Sequence, residues 1–133
     1  MLRSNERGLS LSVWTAVALP AFIVTIGLGV DFAGHAAAEQ EAREIAAQAA
    51  RAAVHQVTLT DAGPMLDVGA GRRVALRYAE AAGYSADVRL TQATGATVTV
   101  RGTHPTAFLG LIGIRGIPVE GEGTARGLPV TRS

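Results

Sequence analysis

The sequence predicts an α+β fold: a long N-terminal helix packed on a small three-stranded antiparallel sheet, with one or two short helices. Three observations carry that prediction. Residues 9–30 contain no charged residue. Residues 31–57 hold 11 alanines and no proline. Beyond them, short runs of alternating apolar and polar residues are separated by glycine-rich turns.

The uncharged run makes a helix about 33 Å long, at about 1.5 Å per residue, enough to cross a hydrocarbon core. Ser10, Ser12, Thr15 and Thr25 are compatible with lipid because their hydroxyls can bond back to helix carbonyls. Pro20 is tolerable in a membrane helix. Trp14, within the first two turns, suits a membrane interface. Arg3, Arg7 and the amino terminus precede the run, while Asp31, His35, Glu39 and Glu41 follow it before the next arginine, Arg43. The positive-inside rule then places residues 1–8 in the cytoplasm as a leader and residues 31–133 outside, in a single-pass protein of the cytoplasmic membrane. A cleaved secretory signal competes with this reading through the small residues Ala36 and Ala38. Its apolar region is ordinarily about 7–15 residues long, shorter than this run.

The alanine-rich segment continues the helix to about residue 57. Ala38, Ala42, Ile45, Ala49 and Ala52 form a narrow apolar stripe, with Ile45 its one large residue. Glu39 and Arg43 form an i,i+4 pair with the acid first. Gly27, Gly29 and Gly34 are weak points, each costing up to about 1 kcal/mol relative to alanine. Residues 58–71 form the main irregular region, with breakers at Asp61, Gly63 and Pro64. A second helix is expected over residues 68–82, ended by Gly83, with Val74, Tyr78 and Ala81 on one face. Residues 86–91 and 96–101 alternate as two strands joined by Ala93, Thr94 and Gly95. Residues 117–126 alternate again, with Pro118 favouring an edge. Phe108, Leu109, Leu111, Ile112 and Ile114 have the spacing of a short apolar helix. The domain of residues 58–133 has only three aromatics, Tyr78, Tyr84 and Phe108, so its core is thin and the alanine stripe is expected to complete it.

Composition excludes several functions. Net charge is +1, and all 12 basic residues are arginine; no field argues for nucleic acid. With no cysteine, disulfides, thiol catalysis and zinc–thiolate sites are absent. His35 and Glu39 share a helix face, but two ligands are too few for a metal site, and His55 and His104 lie in other segments. The residues 69–72, Gly-Ala-Gly-Arg, lack the ending of a phosphate loop. Ser85 and Ser133 have no neighbouring histidine, and the carboxylates form no acid/base pair. No catalytic residue, cofactor or metal is expected. Asp31 reads as an interfacial polar anchor, with pairing to a partner's arginine as its functional alternative.

Residues 7–53, RGLSLSVWTAVALPAFIVTIGLGVDFAGHAAAEQEAREIAAQAARAA, resemble the N-terminal half of a pilin, and most nearly the TadE-like pseudopilins of tight-adherence (Flp-type) pili. The junction VDFAGHAAAEQEA and the C-terminal run PTAFLGLIGIRGIPVEGEGTAR are also similar to members of that family. Across residues 58–104 the resemblance is one of architecture. It implies cleavage by a prepilin peptidase between Gly8 and Leu9, no enzymatic activity, and assembly with other pilin subunits in a surface pilus or secretion machine. One position departs. Pilins carry a glutamate at the fifth residue after the cut, to neutralise a neighbour's amino terminus; here that residue is Val13. The departure favours a minor, priming or tip subunit over a bulk one. The alternative reading is a permanently anchored extracytoplasmic binding domain with an uncleaved leader; an exported enzyme is a third.

Overall fold

In the computed structural model, which describes residues 6–91 and 95–127 and side chains from residue 10 onward, α1 (Glu6–Val54) is one unbroken helix of 49 residues. It passes through Pro20 without interruption. Thr15 and Thr25 donate their hydroxyls to the carbonyls of Leu11 and Ala21, at 2.9 and 2.8 Å. The two threonine hydroxyls of the apolar run are thus used within the helix itself. At about 1.5 Å per residue α1 is about 74 Å long.

Two antiparallel sheets follow. The first is a hairpin of β1 (Val57–Thr60) and β2 (Gly63–Leu66). It falls in the region expected to be irregular, and its turn explains the miss. Thr60 opposes Gly63, Gly63 adopts a φ of +112°, and the Thr60 hydroxyl donates to the Gly63 carbonyl at 2.7 Å. The residues that look like breakers are the turn of a hairpin whose strands are too short to alternate visibly. α2 (Val68–Ala81) begins at Asp67, whose side chain accepts from the Ala70 amide at 2.8 Å. Loss of such a cap typically costs about 1 kcal/mol. The helix gives way to Gly83 at φ +85°.

The main sheet has the order β3–β4–β5, all antiparallel, from β3 (Ser85–Thr91), β4 (Gly95–Pro105) and β5 (Gly116–Arg126). Val88 opposes Val98 and Leu90 opposes Ala96. Thr91 and Gly95 close the β3–β4 hairpin; of its expected turn, Ala93 and Thr94 lie outside the described residues. β5 is an edge strand, which accommodates Pro118. The β4–β5 connection carries a short 3-10 helix, η1 (Leu109–Ile112).

Both long helices lie on one face of this sheet. The opposite face carries polar residues, including the exposed pair Arg101–Glu120 at 2.7 Å. The core is small-residue throughout: Ala42, Ala46, Ala49, Ala50 and Ala53 of α1, Ala75 and Ala79 of α2, and valines of the sheet. The largest fully buried side chains are Val98 and Val100. The alanine stripe does complete the core, but its centre is displaced from the expected one. Ala46 and Ala53 are buried, whereas Ile45 and Ala52 are only partly so. The face of α2 shifts likewise: Gly71, Ala75 and Ala79 are buried, not Val74, Tyr78 and Ala81. One physical cause serves both. The elements approach too closely for large side chains to lie between them.

That approach is set by β5. A Cβ added at Gly121 would collide with the backbone of Ala42 and Arg43, and one at Gly123 with the backbone of Ala46 and Ala47. The step from Gly121 to Gly123 along the strand is about 6.6 Å, close to the rise of one helical turn, about 5.4 Å. Two alternate glycines therefore meet two successive turns of α1. Gly71 of α2 does the same against the Ala53 carbonyl, where a Cβ would come within 2.9 Å of the oxygen. Gly121→Ala or Gly123→Ala should destabilise the domain by about 2 kcal/mol or more, through a clash with backbone that no side-chain rotation relieves. Gly29→Ala, which meets nothing within 4 Å, should leave thermal unfolding unchanged or raise its midpoint.

Candidate functional site

Two helix faces converge where α1 leaves its uncharged run. Asp31 is the first charged residue after that run, and it is 3% exposed. Its carboxylate accepts three backbone hydrogen bonds from the β4–β5 connection: from Ala107 at 2.8 Å, Phe108 at 3.0 Å and Leu109 at 2.7 Å. These amides stand at the start of η1, where helical geometry leaves donors without intrahelical partners. A carboxylate 76 residues away in sequence supplies what a local cap would otherwise supply.

Glycines on the same face make room for the contact. The Phe108 ring lies on Gly27, where any Cβ would collide with it. The His104 ring lies on Gly34, with its Nε2 2.7 Å from where a Cβ would stand. At the next residue, His35 Nε2 lies 3.1 Å from the Pro118 carbonyl and 4.0 Å from Glu39. The three positions that looked like defects in a rod divide: Gly27 and Gly34 are contact surfaces, and Gly29 touches nothing.

The donors, led by the Leu109 amide, hold the Asp31 carboxyl below its ordinary value against the opposing effect of desolvation, with His104 adding a small lowering. A depressed folded-state value means that the stabilisation is complete above the ordinary carboxylate range. It is lost as the pH falls through the lowered value.

The other expected site residues lie apart. Gly8 and Leu9 fall within α1, but their side chains are outside the described residues. Val13 and Trp14 are exposed on α1, about three and a half helical turns or more from the domain's first contact at Gly27. Trp14 and Phe22 flank the small residues Ala18 and Ala21 to form a shallow apolar groove along the helix. No group of three or more metal-ligating side chains occurs among the described residues. Residues 69–72 lie inside α2, with Gly71 turned against α1 rather than toward a ligand. α1 is the one helix among the described residues that is long and apolar enough to cross a membrane. No family model, curated protein or solved structure matches the chain.

The sequence reading made Asp31 an interfacial polar anchor or a partner for another chain's arginine; the structure instead buries it against three amides of its own chain. Its donors are backbone amides, which have no side-chain signature. The readable signal was the pairing of glycines at 27 and 34 with an acid between them on one helix face.

Asp31→Ala should raise the hydrogen-exchange rates of the amides of residues 107–109 by about tenfold or more, the scale of losing charge-assisted hydrogen bonds. The amides of Val98 and Val100 should keep their protection. The difference in melting temperature between the native chain and Asp31→Ala should be constant from neutral pH to about pH 5 and shrink below about pH 4.

Proposed function

We propose that the chain is a minor pilin or pseudopilin of the TadE-like kind: a non-catalytic, single-pass subunit of the cytoplasmic membrane. Its domain stands outside the cell and primes or caps a tight-adherence pilus or a related secretion machine. The observation that carries the reading is the division of α1. One continuous helix leaves its first half uncovered by its own domain, with Leu11, Trp14, Val17, Phe22 and Ile26 all exposed, and buries the alanine face of its second half under the sheet. A helix apolar all round with no cover of its own needs lipid or neighbouring helices as solvent. A pilin exchanges the first for the second when it leaves the membrane for the filament. The groove between Trp14 and Phe22, floored by Ala18 and Ala21, suits close approach by a neighbour's helix, as small residues do in membrane helix pairs.

Val13 sets the position in the assembly. Inside a shaft, a neighbour's ammonium would face apolar surface with no carboxylate opposite it, which is costly. Asp31 lies about 27 Å further along the helix at about 1.5 Å per residue, and its carboxylate already serves residues 107–109. A subunit at a tip has fewer lateral neighbours to satisfy.

Prepilin peptidase is expected to cleave between Gly8 and Leu9. N-terminal sequencing of the membrane-extracted protein should read Leu9 first, and replacing Gly8 by a bulky residue should retain the leader. A mature chain that begins at Met1 would favour the permanently anchored binding domain; one that begins after Ala36 or Ala38 would mean a secretory signal. Immunogold labelling of sheared filaments should mark ends only, and Val13→Glu should spread label along the shaft. Dense label along shafts of the unaltered protein would defeat the tip assignment.

A further inference from the structure

We infer that the β4–β5 connection is a second membrane contact. Residues 106–115 seat their apolar tip in the leaflet at which α1 leaves the bilayer. The inference rests on residues 9–30 being the membrane span, and goes beyond the assembly role.

Topology places the loop at that end. β4 runs toward the span, since its His104 rests on Gly34. β5 starts beside it, since Pro118 meets His35, and then climbs past Ala42 and Ala46. The connection between them is therefore at the membrane end of the sheet. Its depth follows from two contacts. Asp31 binds the amides of residues 107–109, and Phe108 lies on Gly27, about 6 Å further into the uncharged run at about 1.5 Å per residue.

The composition of the loop fits that depth. No charged residue or histidine occurs from Pro105 to Ile114. Leu111 and Ile112 at its tip are 83% and 74% exposed, so nothing among the described residues covers them. Ile26, Val30 and Phe32 of α1 are exposed at the same level. Tip and helix thus expose large apolar side chains at the same depth, and lipid is a solvent suited to both.

A non-helical segment enters lipid only if its backbone is satisfied. Here it is largely self-contained. Asp31 takes the amides of residues 107–109. The Leu111, Gly113 and Ile114 amides donate to carbonyls within the loop, and the Thr106 amide donates to the Arg115 carbonyl. The Thr106 hydroxyl donates to the Ile114 carbonyl. Gly113, at φ +93°, turns the chain back out. Arg115 follows at the end of the apolar stretch, a cation placed for lipid phosphates.

The chain has no cysteine, so single-cysteine variants of the full-length protein are clean probes. Leu111→Cys, Ile26→Cys and Leu59→Cys would each carry an environment-sensitive fluorophore. They would be reconstituted at low protein density in phosphatidylcholine vesicles containing phosphatidylglycerol. Lipids with a nitroxide near the top of the acyl chain serve as quencher. Position 26 reports the span. Position 59, 88% exposed on β1 at the far end of α1, reports water. The expected result is a blue-shifted, quenched label at 111 matching that at 26, with the label at 59 unquenched. A label at 111 that behaves like 59 while 26 is quenched would overturn the inference and leave the span intact. Absence of quenching at all three would overturn the span and the inference together. Protection at 111 that needs high protein density, with 111–111 disulfides forming between chains, would assign the tip to a second copy and overturn the lipid contact.

Discussion

The structure depends on how closely a strand can lie on a helix. β5 meets α1 through Gly121 and Gly123, with no side chain between the strand and the turns of Ala42 and Ala46. Each buried alanine contributes little, about 0.8 kcal/mol per CH2 group removed from water. Close approach compensates, because it brings backbone against backbone where the two glycines meet α1 and leaves no gaps to fill there. A domain with no fully buried leucine, isoleucine or phenylalanine among its described residues is stable only on that condition. It also has little tolerance, since a single methyl group at either glycine has nowhere to go.

Most of the architecture was legible because it follows from periodicity. The uncharged run, the alanine-rich helix and the three alternating strands each show a pattern that burial requires. The parts that were not legible involve pairing across distance. Ile45 was expected to dominate the stripe because size usually marks the buried face. In a contact built on glycine, size marks the flank instead, and Ala46 and Ala49 take the centre. Val74 and Tyr78 yielded to Ala75 and Ala79 for the same reason. The spacing of Gly121 and Gly123 in a strand edged by Glu120 and Glu122 was the available clue, since strand glycines often mark close backbone approach. The β1–β2 hairpin was hidden by its size, four residues in each strand.

Asp31 shows how one residue joins two parts of the molecule. A carboxylate at the end of an apolar helix is ordinarily explained by water or by a partner's cation. Here it is buried and organised by three amides of one short turn. It ties the first residues beyond the uncharged run to the start of the sheet's longest connection. The position of the domain along α1 and the shape of the loop are consequences of the same three bonds.

The alanine stripe alone could not set that position. Shift the domain by one helical turn away from the run, and Gly121 would meet Ala46 in place of Ala42, Gly123 would meet Ala50 in place of Ala46, and both contacts would remain acceptable. The junction breaks this degeneracy. The same shift would press Phe108 onto Asp31 in place of Gly27 and remove the carboxylate from its donors. A shift of one turn the other way would put Phe108 on Ile23 and His104 on Val30, both too large for the contact, and move Asp31 to where His35 now faces the Pro118 carbonyl, away from its donors. Cohesion along the rod comes from a repeating surface that accepts several registers. The choice among them is made by three residues on one face, Gly27, Asp31 and Gly34, where the helix leaves its uncharged run.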